Sequence, residues 1–483
     1  MKKLFNILGV LSLIGLLTFS CKDQTKAIPT PVSPSQTIPP IIAKASVNSW
    51  IYSVMNDAYF WASDLPLLSS LDTTISSFDF FEKLIYQRST VDRFSTLTDN
   101  YANLKNSFNG VNKVYGIRYT VAETTTGSSG YLGMFLSDVL LNSPAEIAGL
   151  KRGDVIIAID GNKITKDNFS SLIKSGDSHA FSLGALQNQV WAISKSVTMS
   201  RAVVNENPVA YSKVLTLPVS GKNMGYLLYN SFIPSTDAES TIYDNQLRTI
   251  FGEFKNAGVN ELVLDLRFNG GGYISSAEVL ASLISGKAQP SNVFYKEKWN
   301  KAYENYYAKK YGPNYFNHTF LNETNSIGTQ LSRVFILTSN STASASELII
   351  NGLKPYMEVV TIGENTYGKN LFGTLVEDKT TPSNYGIYVM LGETTNALGA
   401  SDYGTIDGIT PTYNVMDDVI PYAPMGDFNE TLLKKTLEVM GETTIAMARV
   451  GKGTKLTRYS PYTFKENVEL PMGKMIIDLE QKH

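Results

Sequence analysis

The amino-acid sequence predicts a mixed α/β protein with a small N-terminal helical unit, a β-rich unit and a layered α/β domain. Apolar residues near residue 50 recur at helical spacing, strands and turns alternate between residues 110 and 204, and buried strands alternate with helices from residue 205 onward. A chain of 483 residues is too long for one ordinary hydrophobic core. We therefore expect two or three domains behind a targeting segment.

Residues 1–20 are predicted to be a signal peptide. Lys2 and Lys3 precede an apolar run over 4–19, which is the order of charged and apolar segments typical of secretion signals and is short for a membrane-spanning helix. The serine before Cys21 gives this site a resemblance to a bacterial lipoprotein lipobox. That resemblance implies a lipid anchor on Cys21; ordinary cleavage that leaves Cys21 without a role is the alternative.

Residues 21–44 are predicted to be the lipid anchor and a proline-rich spacer. With this anchor, we expect an exported lipoprotein of the cell envelope, periplasmic or surface-facing, that contacts the membrane through its lipid alone. Residues 45–109 are predicted to be the helical unit, because an apolar stripe has i, i+3, i+4 spacing at Trp50, Ile51, Val54, Met55 and Ala58.

The composition is that of a globular protein without a nucleic-acid partner. The formal net charge is −2 and charged residues make up 18% of the chain, whereas binding to nucleic acid requires a basic face. Cys21 is the only cysteine, which excludes a disulfide within the chain and a cysteine-based zinc site. We expect no metal and no cofactor, and the oligomeric state stays open.

The β-rich unit, residues 110–204, contains the string SPAEIAGLKRGDVIIAIDG at 143–161. The string predicts a short helix, a Gly-Asp turn, a buried strand and an Asp-Gly hairpin turn. It resembles a PDZ domain, and this resemblance implies that an extended peptide C-terminus is bound by strand addition.

The PDZ resemblance places a carboxylate-binding loop at Gly116, Ile117, Arg118 and Tyr119. A second glycine is more usual where Arg118 stands. Arg118 is therefore interpreted either as an added positive charge for the bound carboxylate or as a solvated strand residue.

Residues 205–440 are predicted to form the layered α/β domain, followed by a C-terminal extension at 441–483. Buried strands are predicted around 226–229, 262–266, 334–337 and 359–362. A tyrosine-rich insert at 292–325 interrupts the alternation of strands and helices and is interpreted as a lid over the active-site cleft.

Three strings in this domain carry polar groups that could support chemistry. DLRFNGGG (265–272) reads as a loop that lets backbone N–H groups approach a ligand, or as a plain turn. TASASE (342–347) places a serine at a helix start, either as a nucleophile or as a capping box. GENTYGK (363–369) places one lysine in a turn that follows a strand, either as a buried base or as a surface charge.

The order of these strings after a PDZ-like unit resembles the tail-specific protease family, also called C-terminal processing peptidases. The resemblance implies a crotonase-like layered core in which Ser344 is the nucleophile and Lys369, 25 residues later, is the base. It also places the oxyanion hole at the backbone N–H groups of Gly271 and Ala345. A Ser–Lys pair requires no histidine, and this chain has three, at His179, His318 and His483.

One position departs from the family pattern. Many members have a glutamine four residues after the lysine, and this chain has Gly373 there. Either another group orients Lys369 or the site is impaired; Asn370 and Glu347 are the candidate substitutes.

The resulting functional prediction is a serine endopeptidase that cleaves proteins or peptides selected through their free C-termini. The alternatives are a non-catalytic peptide-binding protein on the same scaffold and an acyl-CoA enzyme with a crotonase-like core. An acyl-CoA enzyme would need neither the PDZ-like unit nor a Ser–Lys pair at this spacing, whereas Gly373 favours the non-catalytic alternative.

Overall fold

The computed structural model describes residues 44–124, 131–187, 190–236, 240–285, 289–420, 422–443, 454–455, 464–465 and 473–477. The predicted signal peptide, Cys21 and all of the spacer except its last residue lie outside this range. No helix within the described residues is long and apolar enough to cross a membrane.

The chain begins with the expected helical segment. Its elements are α1 (Lys44–Ala58), α2 (Ser77–Glu82), β1 (Thr96–Thr98) and α3 (Tyr101–Phe108). Ser76 and Asn100 cap α2 and α3 by accepting hydrogen bonds from Asp79 N–H and Asn103 N–H.

The β-rich unit follows, and its main sheet is antiparallel. Its elements are β2 (Val111–Val114), β3 (Ile117–Glu123), β4 (Leu132–Val139), α4 (Pro144–Ile147), β5 (Val155–Ile159), β6 (Asn162–Lys163), α5 (Phe169–Lys174), β7 (Ser178–Gln187), β8 (Val190–Ser200) and β9 (Ala202–Asn205). Strands β3, β4, β5, β7 and β8 lie side by side in that order. The motif at 143–161 predicts a short helix, and α4 is that helix, capped by Ser143.

The layered domain supplies most of the remaining elements, which are β10 (Val209–Thr216), β11 (Asn223–Tyr229), α6 (Ile242–Asn256), β12 (Glu261–Asp265), β13 (Gly271–Tyr273), α7 (Ile274–Ile284), β14 (Val293–Trp299), α8 (Lys301–Tyr311), β15 (Asn317–Thr319), β16 (Arg333–Thr338), α9 (Ala345–Leu353), β17 (Glu358–Gly363), β18 (Leu371–Glu377), β19 (Gly386–Asn396), β20 (Tyr413–Asn414), β21 (Val419–Ile420) and α10 (Thr431–Met440). The short strands β22 (Thr454–Lys455), β23 (Phe464–Lys465) and β24 (Lys474–Ile476) come from the C-terminal extension.

Two sheets and the helices between them form the core of the layered domain. The first sheet has the order β10-β11-β12-β16-β17-β20, and its central strands are parallel. The second has the order β13-β24-β18-β19-β14-β15. Every residue of α9 is buried, and α9 contacts β17 in the first sheet and β14 and β19 in the second. The N-terminus of α9 is thereby fixed between the sheets.

The N-terminal segment and the tyrosine-rich stretch are both built into this core. Strand β1 pairs with β19, and α1 packs on β19 within the same hydrophobic cluster. Within 292–325, where a lid was predicted, β14 and β15 instead form one edge of the second sheet. Most side chains of β14 are buried, which explains why this strand belongs to the sheet.

The C-terminal extension contributes strands to three different sheets. Strand β22 pairs with β21, β23 pairs with β3 of the β-rich unit, and β24 lies between β13 and β18. Met475 of β24 is fully buried and belongs to the main core. The extension is therefore an integral part of the layered domain at β24.

Candidate active site

Ser344 directly precedes α9 and has a strained backbone. Its φ is +64° and its ψ is −111°, a combination that costs on the order of 1–3 kcal/mol in a residue with a side chain. Hydrogen bonds on both sides hold the turn: Ala343 N–H donates to the Asn269 carbonyl (3.0 Å), and Leu348 N–H donates to the Ser344 carbonyl (2.8 Å). Ser344 is thus fixed at a helix N-terminus, where the helix dipole favours negative charge.

The hydroxyl group of Ser344 is buried without a hydrogen-bond partner among the described residues. Ser344 and Glu347 have the arrangement of a capping box, and the half that forms a hydrogen bond is the one from Ser344 N–H to the Glu347 carboxylate, at 2.6 Å. An unpaired buried hydroxyl is unfavourable for stability. This hydroxyl is left available for chemistry.

The buried carboxylate of Glu347 joins the serine turn to the lysine turn. Its Oε2 atom accepts hydrogen bonds from Ser344 N–H (2.6 Å) and Lys369 N–H (2.9 Å). Its Oε1 atom accepts from Gly368 N–H (2.7 Å) and from the Thr366 hydroxyl. Burial raises the pKa of Glu347 to about 7, against the lowering effect of these donors. Since one oxygen binds both N–H groups, the backbones of Ser344 and Lys369 lie side by side.

The amine of Lys369 is fully buried in the same region. Its Nζ donates to the Tyr388 hydroxyl and to the Gly473 carbonyl, both at 2.8 Å. Burial is the main cause that lowers the pKa of Lys369 to about 7; Asp92 and Glu347 act in the opposite direction, and Arg93 adds to the lowering. A substantial fraction of this amine is therefore neutral near pH 7.

The two predicted substitutes for the family's glutamine have other roles. The Asn370 side chain donates to Ser401, and Glu347 binds the backbone N–H of Lys369. The hydrogen-bond acceptors of the amine among the described residues, Tyr388 and Gly473, were not predicted. The sequence contains one indication that the Lys369 amine needs another partner, which is the presence of Gly373 where many family members have a glutamine.

Gly271 lies against Ser344. A Cβ atom on Gly271 would be 2.9 Å from the Ser344 Cβ and 2.3 Å from the Lys474 carbonyl oxygen, and its φ is +95°. Its N–H donates to the Asn269 side-chain oxygen at 2.9 Å, so an oxyanion bound there would compete with Asn269. Ala345 is the first residue of α9, where N–H groups have no partner within the helix.

A buried ion-pair network fixes the loop that carries Gly271. Arg267 is 1% exposed and pairs with Asp265 (2.7 Å), Asp417 (3.0 Å) and Glu430 (2.6 Å). Arg152 of the β-rich unit joins Asp417 and Glu430. Removing one partner from such a network is costly, so these charges have a structural role. Within the described part of the chain, no group of three or more His, Cys, Asp or Glu is arranged to hold a metal ion.

The predicted peptide-binding residues lie together in the β-rich unit. Gly116 has a φ of +87°, and a Cβ there would collide with Ser143; Ile117 and Tyr119 are buried in the core of the unit. Arg118 is 5% exposed and is paired with Asp138 and Glu206. The interpretation of Arg118 as a solvated residue is wrong, because two carboxylates balance its charge inside the protein.

The outer edge of β3 is already paired in this structure. Strand β23 lies antiparallel to it, with Phe464 opposite Tyr119 and Lys465 opposite Arg118. On its other side β3 pairs with β4. A peptide that adds to the outer edge at Arg118 and Tyr119 would have to displace β23.

Comparison with known protein families agrees with this architecture. The model of peptidase family S41 matches residues 223–415, the model of the S41 N-terminal domain matches 46–96, and a PDZ-domain model matches 135–183. The chain belongs to peptidase family S41. Family S41 is a class of serine-type peptidases. The predicted combination of a helical segment, a PDZ domain and a protease core is confirmed.

Individual relatives point to the same class. A carboxyl-terminal-processing protease of Picosynechococcus is 26% identical over 306 residues, covering 62% of this chain and 65% of its own. The chloroplastic carboxyl-terminal-processing peptidase 1 of Arabidopsis thaliana is 27% identical, covering 58% and 52%. The alignments thus span between half and two thirds of these relatives. The crystal structure of a candidate S41 protease from Bacteroides fragilis superposes with a TM-score of 0.68 at 29% identity, covering 82% of this chain and 97% of that one.

Proposed function

We propose that this S41 chain is a serine endopeptidase in which Ser344 is the nucleophile and Lys369 is the general base. The observation that carries the proposal is the shared contact with Glu347, which places the backbone of a strained serine beside that of a fully buried lysine. A lysine acts as a base only when neutral, and its lowered pKa of about 7 meets that condition.

The proposed reaction is acyl transfer in two steps. Lys369 takes the Ser344 proton while Oγ attacks the carbonyl carbon of the scissile bond, and the N–H groups of Gly271 and Ala345 donate to the oxyanion. The intermediate collapses to an ester on Ser344, and Lys369 gives its proton to the leaving amine. Water, deprotonated by Lys369, then hydrolyses the ester.

The proposed site is closed to solvent in this structure. Ser344 and Lys369 are both fully buried, so a peptide bond reaches Oγ only after neighbouring segments move. For this proposal, movement also has to free the Gly271 N–H from Asn269. Such closure excludes water until a substrate enters.

We further propose that the PDZ domain selects substrates by their free C-termini, with the tail added at Gly116–Tyr119 in place of β23. Amidating the C-terminus of a peptide substrate removes its charge and is expected to slow cleavage about tenfold or more, mainly through KM. The measurement is hydrolysis of matched free-acid and amidated peptides by the full chain. Equal rates would contradict the proposed selection of substrates by their C-termini, but not the proposed peptidase activity.

The lipid anchor remains a proposal that rests on the sequence around Cys21. Metabolic labelling with a fatty acid is expected to tag the wild-type protein and to leave the Cys21→Ser variant unlabelled. Unlabelled wild-type protein would mean that the lipobox interpretation is wrong.

A further inference from the structure

The C-terminal strand β24 holds the hydroxyl of Tyr388 in one orientation. The Tyr388 hydroxyl donates to the Met475 carbonyl at 2.9 Å, and its oxygen accepts from the Met475 N–H at 3.1 Å. Because its proton is committed to Met475, the oxygen can only accept in its contact with Lys369 Nζ, at 2.8 Å. Tyr388 is fully buried, and burial raises its pKa, so the hydroxyl keeps its proton.

The residue before β24 supplies the second acceptor. Gly473 has a φ of +80°, and its carbonyl accepts from Lys369 Nζ at 2.8 Å. A Cβ on Gly473 would lie 3.0 Å from the Lys369 Cδ atom. Both acceptors of the amine thus depend on residues 473–475, about a hundred positions after Lys369 in the sequence.

Gly373 provides the space that this arrangement requires. A Cβ at Gly373 would lie 2.3 Å from the Val389 carbonyl and 3.0 Å from the Tyr388 ring. The Gly373 carbonyl also accepts a hydrogen bond from Ile477 N–H at 3.0 Å, which ties it to the end of the same segment. A glutamine at this position would therefore collide with the Val389 carbonyl and press against the ring of Tyr388, which contacts Lys369.

We propose that Tyr388 and the C-terminal segment Gly473–Ile477 are the positioning elements of the catalytic lysine, in the role that the family resemblance gives to a glutamine. This inference rests on the proposed function, because it assigns Lys369 the task of a base. A neutral amine has two N–H bonds and one lone pair. Two fixed acceptors take both N–H bonds, so the lone pair is directed away from them and is free to accept a proton, as the proposed role of Lys369 requires.

The first test removes the Tyr388 acceptor. Tyr388→Phe is expected to lower kcat about 10- to 100-fold with little change in KM, because a misaligned base costs rate and not binding. Loss of an acceptor destabilises the ammonium form, so the acidic limb of the pH–rate profile is expected to move to lower pH. The matched control is Tyr295→Phe, which removes another buried hydroxyl from the same sheet, one that contacts Glu278; wild-type kcat and profile are expected.

The second test uses the glycine at the start of the segment. Gly473→Ala adds a methyl group against Lys369 and is expected to lower kcat by a similar factor. Gly441→Ala is its control, because Gly441 has nearly the same φ, +79°, and nothing within 4 Å of an added Cβ. Both variants place a Cβ atom at nearly the same positive φ, so only the first should impair turnover.

A measurement without turnover separates this inference from the proposed function. Carbon-13 NMR of labelled lysine is expected to give a lower pKa for Lys369 in Tyr388→Phe than in the wild type, and an unchanged one in Tyr295→Phe. The same pKa in all three proteins, together with kcat values for Tyr388→Phe and Gly473→Ala within twofold of their controls, would overturn the inference. A different result would contradict only the proposed function: the Lys369 pKa changes in Tyr388→Phe as expected, but hydrolysis does not depend on Ser344. In that case the contacts of Tyr388 with Lys369 would still set the pKa of the amine.

Discussion

The Ser344→Ala variant is expected to lose peptide hydrolysis by about four orders of magnitude or more, because it lacks the proposed nucleophile. The fold is expected to be kept: alanine places the same Cβ at φ +64°, and the Oγ atom has no hydrogen bond among the described residues. Removing an unsatisfied buried hydroxyl is expected to stabilise the protein by about 1 kcal/mol. Hydrolysis assays and thermal unfolding of the same preparation measure both effects.

Ser346→Ala is the matched control for this variant. Ser346 is also fully buried and lies two residues on, but its hydroxyl donates to the Asn269 carbonyl at 3.1 Å. Its loss is expected to cost about 1 kcal/mol of stability and to leave most of the activity. A Ser344→Ala protein as active as Ser346→Ala would remove Ser344 from the mechanism.

Lys369→Arg is expected to be nearly as inactive as Lys369→Ala, although it retains a positive charge. An arginine cannot lose its proton in a protein and therefore cannot act as a general base. For the wild type, kcat/KM is expected to fall about tenfold per pH unit below about pH 7, where Lys369 is protonated, and to level off above it. Substantial activity in the arginine variant, or a flat profile between pH 5 and 9, would reduce Lys369 to an electrostatic role.

The serine turn and the lysine turn that Glu347 joins could be singled out from the sequence because each lies in a short string of characteristic residue types. Ser344 stands before Ala-Ser-Glu at a helix start, and Lys369 ends a Gly-rich turn after a strand. The spacing between the two strings then added the information that neither string carries alone. Glu347 was predicted as a capping residue and as a candidate to orient Lys369; in the structure its carboxylate accepts from the backbone N–H of Lys369, not from the amine.

The groups around the lysine amine could not be predicted in the same way. The contacts of Gly473 and Met475 are made by backbone atoms, which leave no signature in residue type. Tyr388 is one of 27 tyrosines and lies in an apolar strand that is typical of any core. The pairing of β24 with β13 spans about two hundred residues of sequence, and no local pattern reports such a distance.

Arg118 shows the same limit in the PDZ domain. Its sequence position suggested either a ligand contact or an exposed strand residue, but its partners Asp138 and Glu206 lie 20 and 88 residues away. In the folded protein Arg118 is buried, and the two carboxylates balance its charge. The fold class was predictable because many residues repeat the same apolar pattern. The ion pairs of Arg118 depend on three residues that are distant in the sequence, and no repeated pattern indicates them.

The most direct test of the account is covalent labelling with a fluorophosphonate probe, followed by mass spectrometry that locates the label. The account predicts one label per chain, on Ser344, with a rate that rises as the pH passes about 7 and that collapses in Lys369→Arg. Peptide hydrolysis by a wild-type protein whose label lies on any residue other than Ser344 would contradict it, as would a wild-type protein that shows neither hydrolysis nor label.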